Sequence, residues 1–157
     1  MYLPIIATLG YVVAAGKVLL VHRGRAGDAH AGKWNGLGGK LERDEDIYSC
    51  LVRELREEAG ITVTSARLRG TVYWPGFGVG GEDRFGFIFL VDGFEGTPPA
   101  ANADGPLAWH EIDQLDRLPM WAGDRHFLPL VFGSGPMFHG LLPYEDGEPA
   151  SWSYTET

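Results

Sequence analysis

Between Gly39 and Ile61 the chain reads GKLERDEDIYSCLVRELREEAGI, and this segment constrains the fold more than any other. Ile47, Cys50, Leu51 and Leu55 stand three and four residues apart, so one face of a helix can pack on a core. Asp46 is placed to act as its N-cap, and Gly60 follows the last turn, where a left-handed stop residue is commonly glycine. On that helix Glu54, Glu57 and Glu58 occupy i, i+3 and i+4 and project together from a second face. Carboxylates held so close repel one another. At ~6 Å and an effective dielectric near 20, each pair costs about 3 kcal/mol. A hard divalent cation removes that cost, and oxygen ligands suit Mg²⁺ or Mn²⁺. For three glutamates alone, a solvated acidic face is the better reading. The adjoining Gly38-Gly39 turn changes the balance, because without a Cβ its carbonyls can approach a cation or a phosphate.

The spacing Gly39, Glu45, Arg53-Glu54-Leu55, Glu57-Glu58, Gly60-Ile61 fits a single template at every specified position. Seven fixed residues at frequencies of at most ~7 % each give roughly 10⁻⁸ per starting position by chance. The segment resembles the signature of the Nudix hydrolases, which cut nucleoside diphosphates linked to another group. The resemblance implies an α/β (α+β) fold, an α/β/α sandwich around a mixed β-sheet. It also implies metal binding and catalysis by Glu54, Glu57 and Glu58, with the Gly38 carbonyl as a further ligand. Which acid serves as general base stays open. Arg53 would pair with Glu45 to fix the loop onto the helix. Asp104 falls near the position of a glutamate that approaches the metal in relatives, although an ordinary loop aspartate fits as well.

Further runs are similar, in the same order, to the MutT-like members that hydrolyse oxidised purine nucleoside triphosphates. They are Trp34 to Lys40, Gly96-Thr97-Pro98, Met120-Trp121, Phe127-Leu128-Pro129-Leu130 and Phe138-His139-Gly140. By that resemblance Asn35 hydrogen-bonds the base, Trp121 stacks on it, and Asp124 reads the purine edge. A turn asparagine and a core tryptophan are the competing readings for the first two. Two adjacent acids are expected in such relatives, and Gly123 stands in place of the first. Trp74 falls near an aromatic wall of the pocket. Arg23 and Lys40 flank the metal loop and are candidate phosphate contacts. The expected reaction is Mg²⁺-dependent hydrolysis of triphosphates such as 8-oxo-dGTP to monophosphate and pyrophosphate, a nucleotide-pool sanitation role. The alternatives are another diphosphate-linked substrate (a nucleotide sugar or dinucleoside polyphosphate), a broad triphosphatase, and a silent nucleotide-binding module. Silent members typically lose the acids that are all retained here.

At 157 residues the chain is expected to form one domain over residues 1–157 with a sizeable core. A formal charge of −8 argues against a nucleic-acid polymer as partner but not against a single nucleotide held by a local cation cluster. No apolar run is long enough to span a bilayer, so no membrane partner and a cytoplasmic address are expected; the oligomeric state is left open, with a monomer as the default. Cys50 is the lone cysteine and reads as a buried small hydrophobe. Strands are expected over 5–13 and 17–22 around the Ala15-Gly16 turn, then over 63–74 and 85–91. Loops are expected over 23–33 (with His30), 34–43, 75–83 and 93–106. A strand end with a helical turn should follow over 109–118, and a helix over 124–132 disturbed by Pro129. Final strands are expected over 137–143 and 151–154, joined through 145–149.

Overall fold

The computed structural model describes residues 1–24 and 32–157; most of the expected 23–33 loop, His30 included, lies outside the described residues. Five strands carry the architecture: β1 (Ile5–Ala14), β2 (Lys17–Arg23), β3 (Lys33–Asn35), β4 (Thr62–Trp74) and β5 (Arg84–Glu95). Helix α1 (Ile47–Ala59) lies between β3 and β4. Beyond β5 come β6 (Ala101–Asn102), β7 (Gly105–Glu111), a 3₁₀ turn (Ile112–Arg117) and α2 (Asp124–Phe132). The chain closes with β8 (Phe138–Leu141), a small β9–β10 hairpin (Tyr144–Glu145 with Glu148–Pro149) and β11 (Ser153–Glu156).

The main sheet runs β11-β8-β4-β5-β1-β2-β7-β6, with β3 on β2. β1 pairs with β5 and β4 with β8 in parallel, and the other pairings are antiparallel, so the sheet is mixed. Successive side chains on a strand point to opposite faces, and here both faces are buried. Val18 and Leu20 of β2, Tyr11 of β1, and Ile88 and Leu90 of β5 join Phe127, Leu128 and Val131 of α2 in one core. Their neighbours Leu19, Val21, Val12, Phe89 and Val91 join Leu51, Leu55 and Ala59 of α1 in the other. The result is the expected sandwich, one helix on each face.

Local chemistry sets the helix ends. The Ser49 N–H donates to Asp46 Oδ1 at 2.9 Å, and Gly60, at φ 63°, ends α1 with its N–H on the Arg56 carbonyl. Cys50 is fully buried.

Several expectations need correction. Pro129 does not interrupt α2, which runs on to Phe132. Past the proline, the buried Arg69 guanidinium of β4 donates to the carbonyls of Leu130, Val131, Gly133 and Gly135 at 2.9–3.3 Å. A cation with several donors satisfies the open C-terminal carbonyls and complements the helix dipole there. The 93–106 loop is shorter than expected, because β5 extends to Glu95 against β4 and β6 turns back onto β7. Similarly, the 34–43 loop begins inside β3, whose Asn35 pairs with Val21. The last strand starts at Ser153, two residues later than expected, in register with β8. No helix among the described residues is long and apolar enough to cross a membrane.

Candidate active site

The loop after β3 is stitched along β1. Thr8 N–H donates to the Gly39 carbonyl at 2.9 Å, Leu37 N–H to Gly10 at 3.0 Å, and Leu41 N–H to Ile6 at 2.9 Å. Gly38 adopts φ 150°, and a Cβ there would run into the Thr8 carbonyl oxygen. Any other residue would be strained twice, by backbone conformation and by contact. Gly39 lies against α1 so closely that an added Cβ would be 2.5 Å from the Glu54 carboxyl. Two adjacent glycines thus let a loop backbone and a helical carboxylate share one space.

Arg53 ties the two elements together. Its Nε and Nη2 donate to both carboxylate oxygens of Glu45 at 2.9 and 2.6 Å, Nη1 donates to Glu54 at 2.8 Å, and Nη2 to the Lys40 carbonyl at 3.3 Å. The fork geometry of a guanidinium suits such bidentate pairing. The hydrogen bond from Arg53 holds the Glu45 carboxyl at about 2, well below its ordinary range, and Glu45 in turn raises the Arg53 guanidinium. Opposite behaviour marks Glu58. Burial, then the adjoining Glu54 carboxyl and the Asp104 charge, push its carboxyl well above the usual range. A backbone hydrogen bond from Gly38 works the other way.

Asp104 approaches from the β6–β7 turn. Asn102 Oδ1 accepts from the N–H groups of Asp104 and Gly105 at 2.8 and 3.2 Å, while its Nδ2 donates to the Glu58 carbonyl at 3.0 Å. Arg23 Nη1 lies 3.8 Å from Asp104 Oδ2. Glu58, Asp104, Gly38, Arg23 and Lys40 all line one end of a cavity of about 310 Å³.

Aromatic side chains build the other end. Trp74, Phe77 and Trp121 line it, with Phe77 edge-on to Trp121 at 4.8 Å between ring centres. Lys33 Nζ sits 4.4 Å above the Trp121 ring. Gly86 has no side chain to meet the Trp74 indole that lies over it. Asn35 lines the same cavity, its amide donating to the Lys33 carbonyl at 3.0 Å. Asp124, at the first turn of α2, is 8 % exposed, and burial pushes its carboxyl up to about 7. Tyr144 packs edge-on to both Phe77 and Trp121, and its hydroxyl accepts from the Gly123 N–H at 3.1 Å.

Ten of the residues singled out from sequence line this cavity: Asn35, Trp74, Trp121, Asp124, Arg23, Lys40, Gly38, Gly39, Glu58 and Asp104. Glu54 stands behind Gly39, and Glu45 and Arg53 sit outside as braces. Glu57 departs from the expected convergence. Its side chain is 61 % exposed and reaches Arg53 at 3.4 Å, and no group of three acidic, His or Cys side chains among the described residues converges in metal-ligand fashion. The Arg53 Nη1 that donates to Glu54 is also the group Glu57 reaches, whereas Glu58 faces the cavity.

The donor set nonetheless fits a hard divalent cation. Two crowded carboxylates, a third within a helical turn, a loop acid and a part-exposed glycine backbone offer oxygen ligands, and added positive charge would offset the burial and the Glu54 carboxyl that together raise Glu58.

Sequence reading missed Phe77, Arg84, Gly86 and Tyr144. The one usable signal for Arg84 and Gly86 is their parity with Ile88 on β5, which puts them on the α2 face. Gly123 looked like a lost acid. In the fold, a Cβ at this position would be 2.5 Å from the Tyr144 hydroxyl, so the aromatic ring fills the space a side chain would need.

The family described as NUDIX domain matches residues 4–131. A zebrafish (Danio rerio) protein named oxidized purine nucleoside triphosphate hydrolase is 37 % identical over 131 residues, covering 83 % of this chain and 81 % of that protein. A Nudix hydrolase of Bacillus subtilis is 31 % identical over 131 residues, covering 82 % and 79 %. Among solved structures, a MutT protein from Bacillus halodurans superposes with a TM-score of 0.83 at 31 % identity, over 96 % of this chain and 97 % of that one.

Proposed function

This chain belongs to the NUDIX family of hydrolases, and on that premise we propose that it hydrolyses oxidised purine nucleoside triphosphates, 8-oxo-dGTP among them, to monophosphate and pyrophosphate. One observation carries the reading: a single cavity joins a carboxylate-and-glycine end to an aromatic end at whose wall a buried acid stands. The first suits a metal-held polyphosphate and the second a flat, polar-edged base. The name of the zebrafish relative favours an oxidised purine over a nucleotide sugar.

Nudix hydrolases generally use divalent metals. Here Glu54, Glu57, Glu58, the Gly38 carbonyl and Asp104 would hold Mg²⁺, with Mn²⁺ as a substitute, and the cation would supply charge to the phosphates and acidify the attacking water. Arg53 positions Glu54 while it is itself anchored on Glu45. Arg23 and Lys40 neutralise phosphate oxygens at the same end. At the aromatic end Trp121 and Trp74 enclose the base and Asn35 offers an amide to its edge. Asp124, with its midpoint at about 7, presents a donor or an acceptor near neutrality. The proposed substrate is a free nucleotide, with no nucleic-acid polymer or membrane as partner. The proposed setting is the nucleotide pool of the cytoplasm, the whole of residues 1–157 acting as one domain.

The test is product analysis. Incubation of the protein with Mg²⁺ and 8-oxo-dGTP should yield pyrophosphate and 8-oxo-dGMP in equal amounts. Release of inorganic phosphate with the diphosphate, or no turnover, would overturn the proposal.

A further inference from the structure

Arg84 opens β5 directly opposite Trp74 of β4, and opposed residues on neighbouring strands share a sheet face. Gly86, Ile88 and Leu90 follow at intervals of two on the same face, and the last two pack in the core with α2. Gly86 leaves room for the Trp74 ring beside it, and both Trp74 and Arg84 line the aromatic end of the cavity. Arg84 Nε is buried and has no hydrogen-bond partner among the described residues. Nor is Arg84 the counter-charge of the acid in that cavity, since the cation acting on Asp124 is Arg125.

A buried guanidinium nitrogen without an acceptor calls for one from whatever fills the cavity. Guanidinium groups offer donors only and keep their charge throughout the physiological range, so the facing edge of the ligand must carry acceptors. Asp124 and Asn35, at the same end, supply the complementary acceptor function. A 6-oxo purine satisfies both sides at once, with carbonyl oxygen for the cation and ring N–H and amino groups for the acid. A 6-amino purine presents a donor in place of that carbonyl, so an arginine aimed at the 6-position loses its acceptor there.

We infer that Arg84 is a specificity-determining residue of the base site, donating to the 6-carbonyl oxygen of the base and favouring 6-oxo over 6-amino purines. The inference rests on the proposed function, in that the aromatic end takes the base. Sites built to hydrogen-bond a substrate group reject analogues that lack it far more strongly than apolar pockets reject a change of size.

The experiment compares kcat and KM for 8-oxo-dGTP and 8-oxo-dATP in the wild type, Arg84→Met and Arg84→Lys, with thermal unfolding to verify folding. Calorimetric binding of the two monophosphate products gives a readout independent of turnover. The wild type should favour the 6-oxo base. Arg84→Met should cut that preference on the order of tenfold or more, chiefly through KM and product affinity, and Arg84→Lys should recover part of it. A folded Arg84→Met protein with the wild-type preference would overturn the inference and leave the proposed function intact. Failure of the wild type to turn over or bind either oxidised purine would instead remove the proposed function, and the inference with it.

Discussion

The two ends of the cavity are built by opposite strategies. At the end proposed to take the phosphates, one continuous stretch of chain supplies most of the polar groups: Gly38 and Gly39 in the loop, Glu45 after it, and Arg53, Glu54, Glu57 and Glu58 on α1. At the aromatic end, Asn35, Trp74, Arg84 and the Trp121–Asp124 segment come from four separate places in the chain and meet only when the sheet and α2 assemble. Burial raises an acid at each end, Glu58 at the first and Asp124, to about 7, at the second, but only the first carries an arginine-paired brace, which holds Glu45 at about 2. A local, braced device can be reused for many substrates, while a dispersed one is free to set which substrate enters.

If that division holds, substitutions at the two ends should fail differently. Glu58→Gln, and likewise Glu57→Gln, should lower kcat on the order of 10³-fold or more, by about the same factor for every nucleotide that the enzyme accepts. Steady-state kinetics on two different triphosphates checks this. A loss confined to one base would blur the distinction between the ends.

Asp124 offers a test through stability. Its folded value lies above that of an unfolded aspartate, so between about pH 4 and pH 7 the folded state holds the proton that the unfolded chain has released. Stability should therefore fall as pH rises through that window, by up to about 4 kcal/mol from this group, and level off above it. Asp124→Asn should remove that part of the slope. Urea unfolding at pH 4.5 and pH 7.5 reads it directly, and an unchanged slope would mean that the carboxyl is not desolvated as described.

The smallest effect is expected for Trp121→Ala. Loss of base stacking should raise KM by roughly 10–100-fold, from about 1–3 kcal/mol, with kcat much less affected. An equal fall in kcat with unchanged KM would move Trp121 from the base to the reacting phosphates.

This contrast also explains what could be read from the chain. The phosphate end was legible because its residues are close in sequence and a helix has a fixed period. Asp46, Gly60 and the glutamate spacing could be laid on a helical face without knowing anything distant. Arg69 shows the limit. Its position on β4 says nothing about the four carbonyls, in the last turn of α2 and just after it, that it satisfies. Tyr144 shows the same limit from the other side. Only the packed structure brings its hydroxyl against Gly123, where residue spacing suggested a missing acid. Glu57 marks a third kind of gap, since sequence placed it in one convergent set with Glu54 and Glu58, while its side chain is largely exposed and shares Arg53 Nη1 with Glu54.

The most direct test of the central claim is the ratio of kcat/KM for 8-oxo-dGTP to that for dGTP, measured with Mg²⁺ and followed by pyrophosphate release. A cavity that couples a phosphate-cleaving end to a base-reading end should give a ratio well above ten. A ratio near one would contradict the account, leaving hydrolysis at the phosphate end without discrimination at the other.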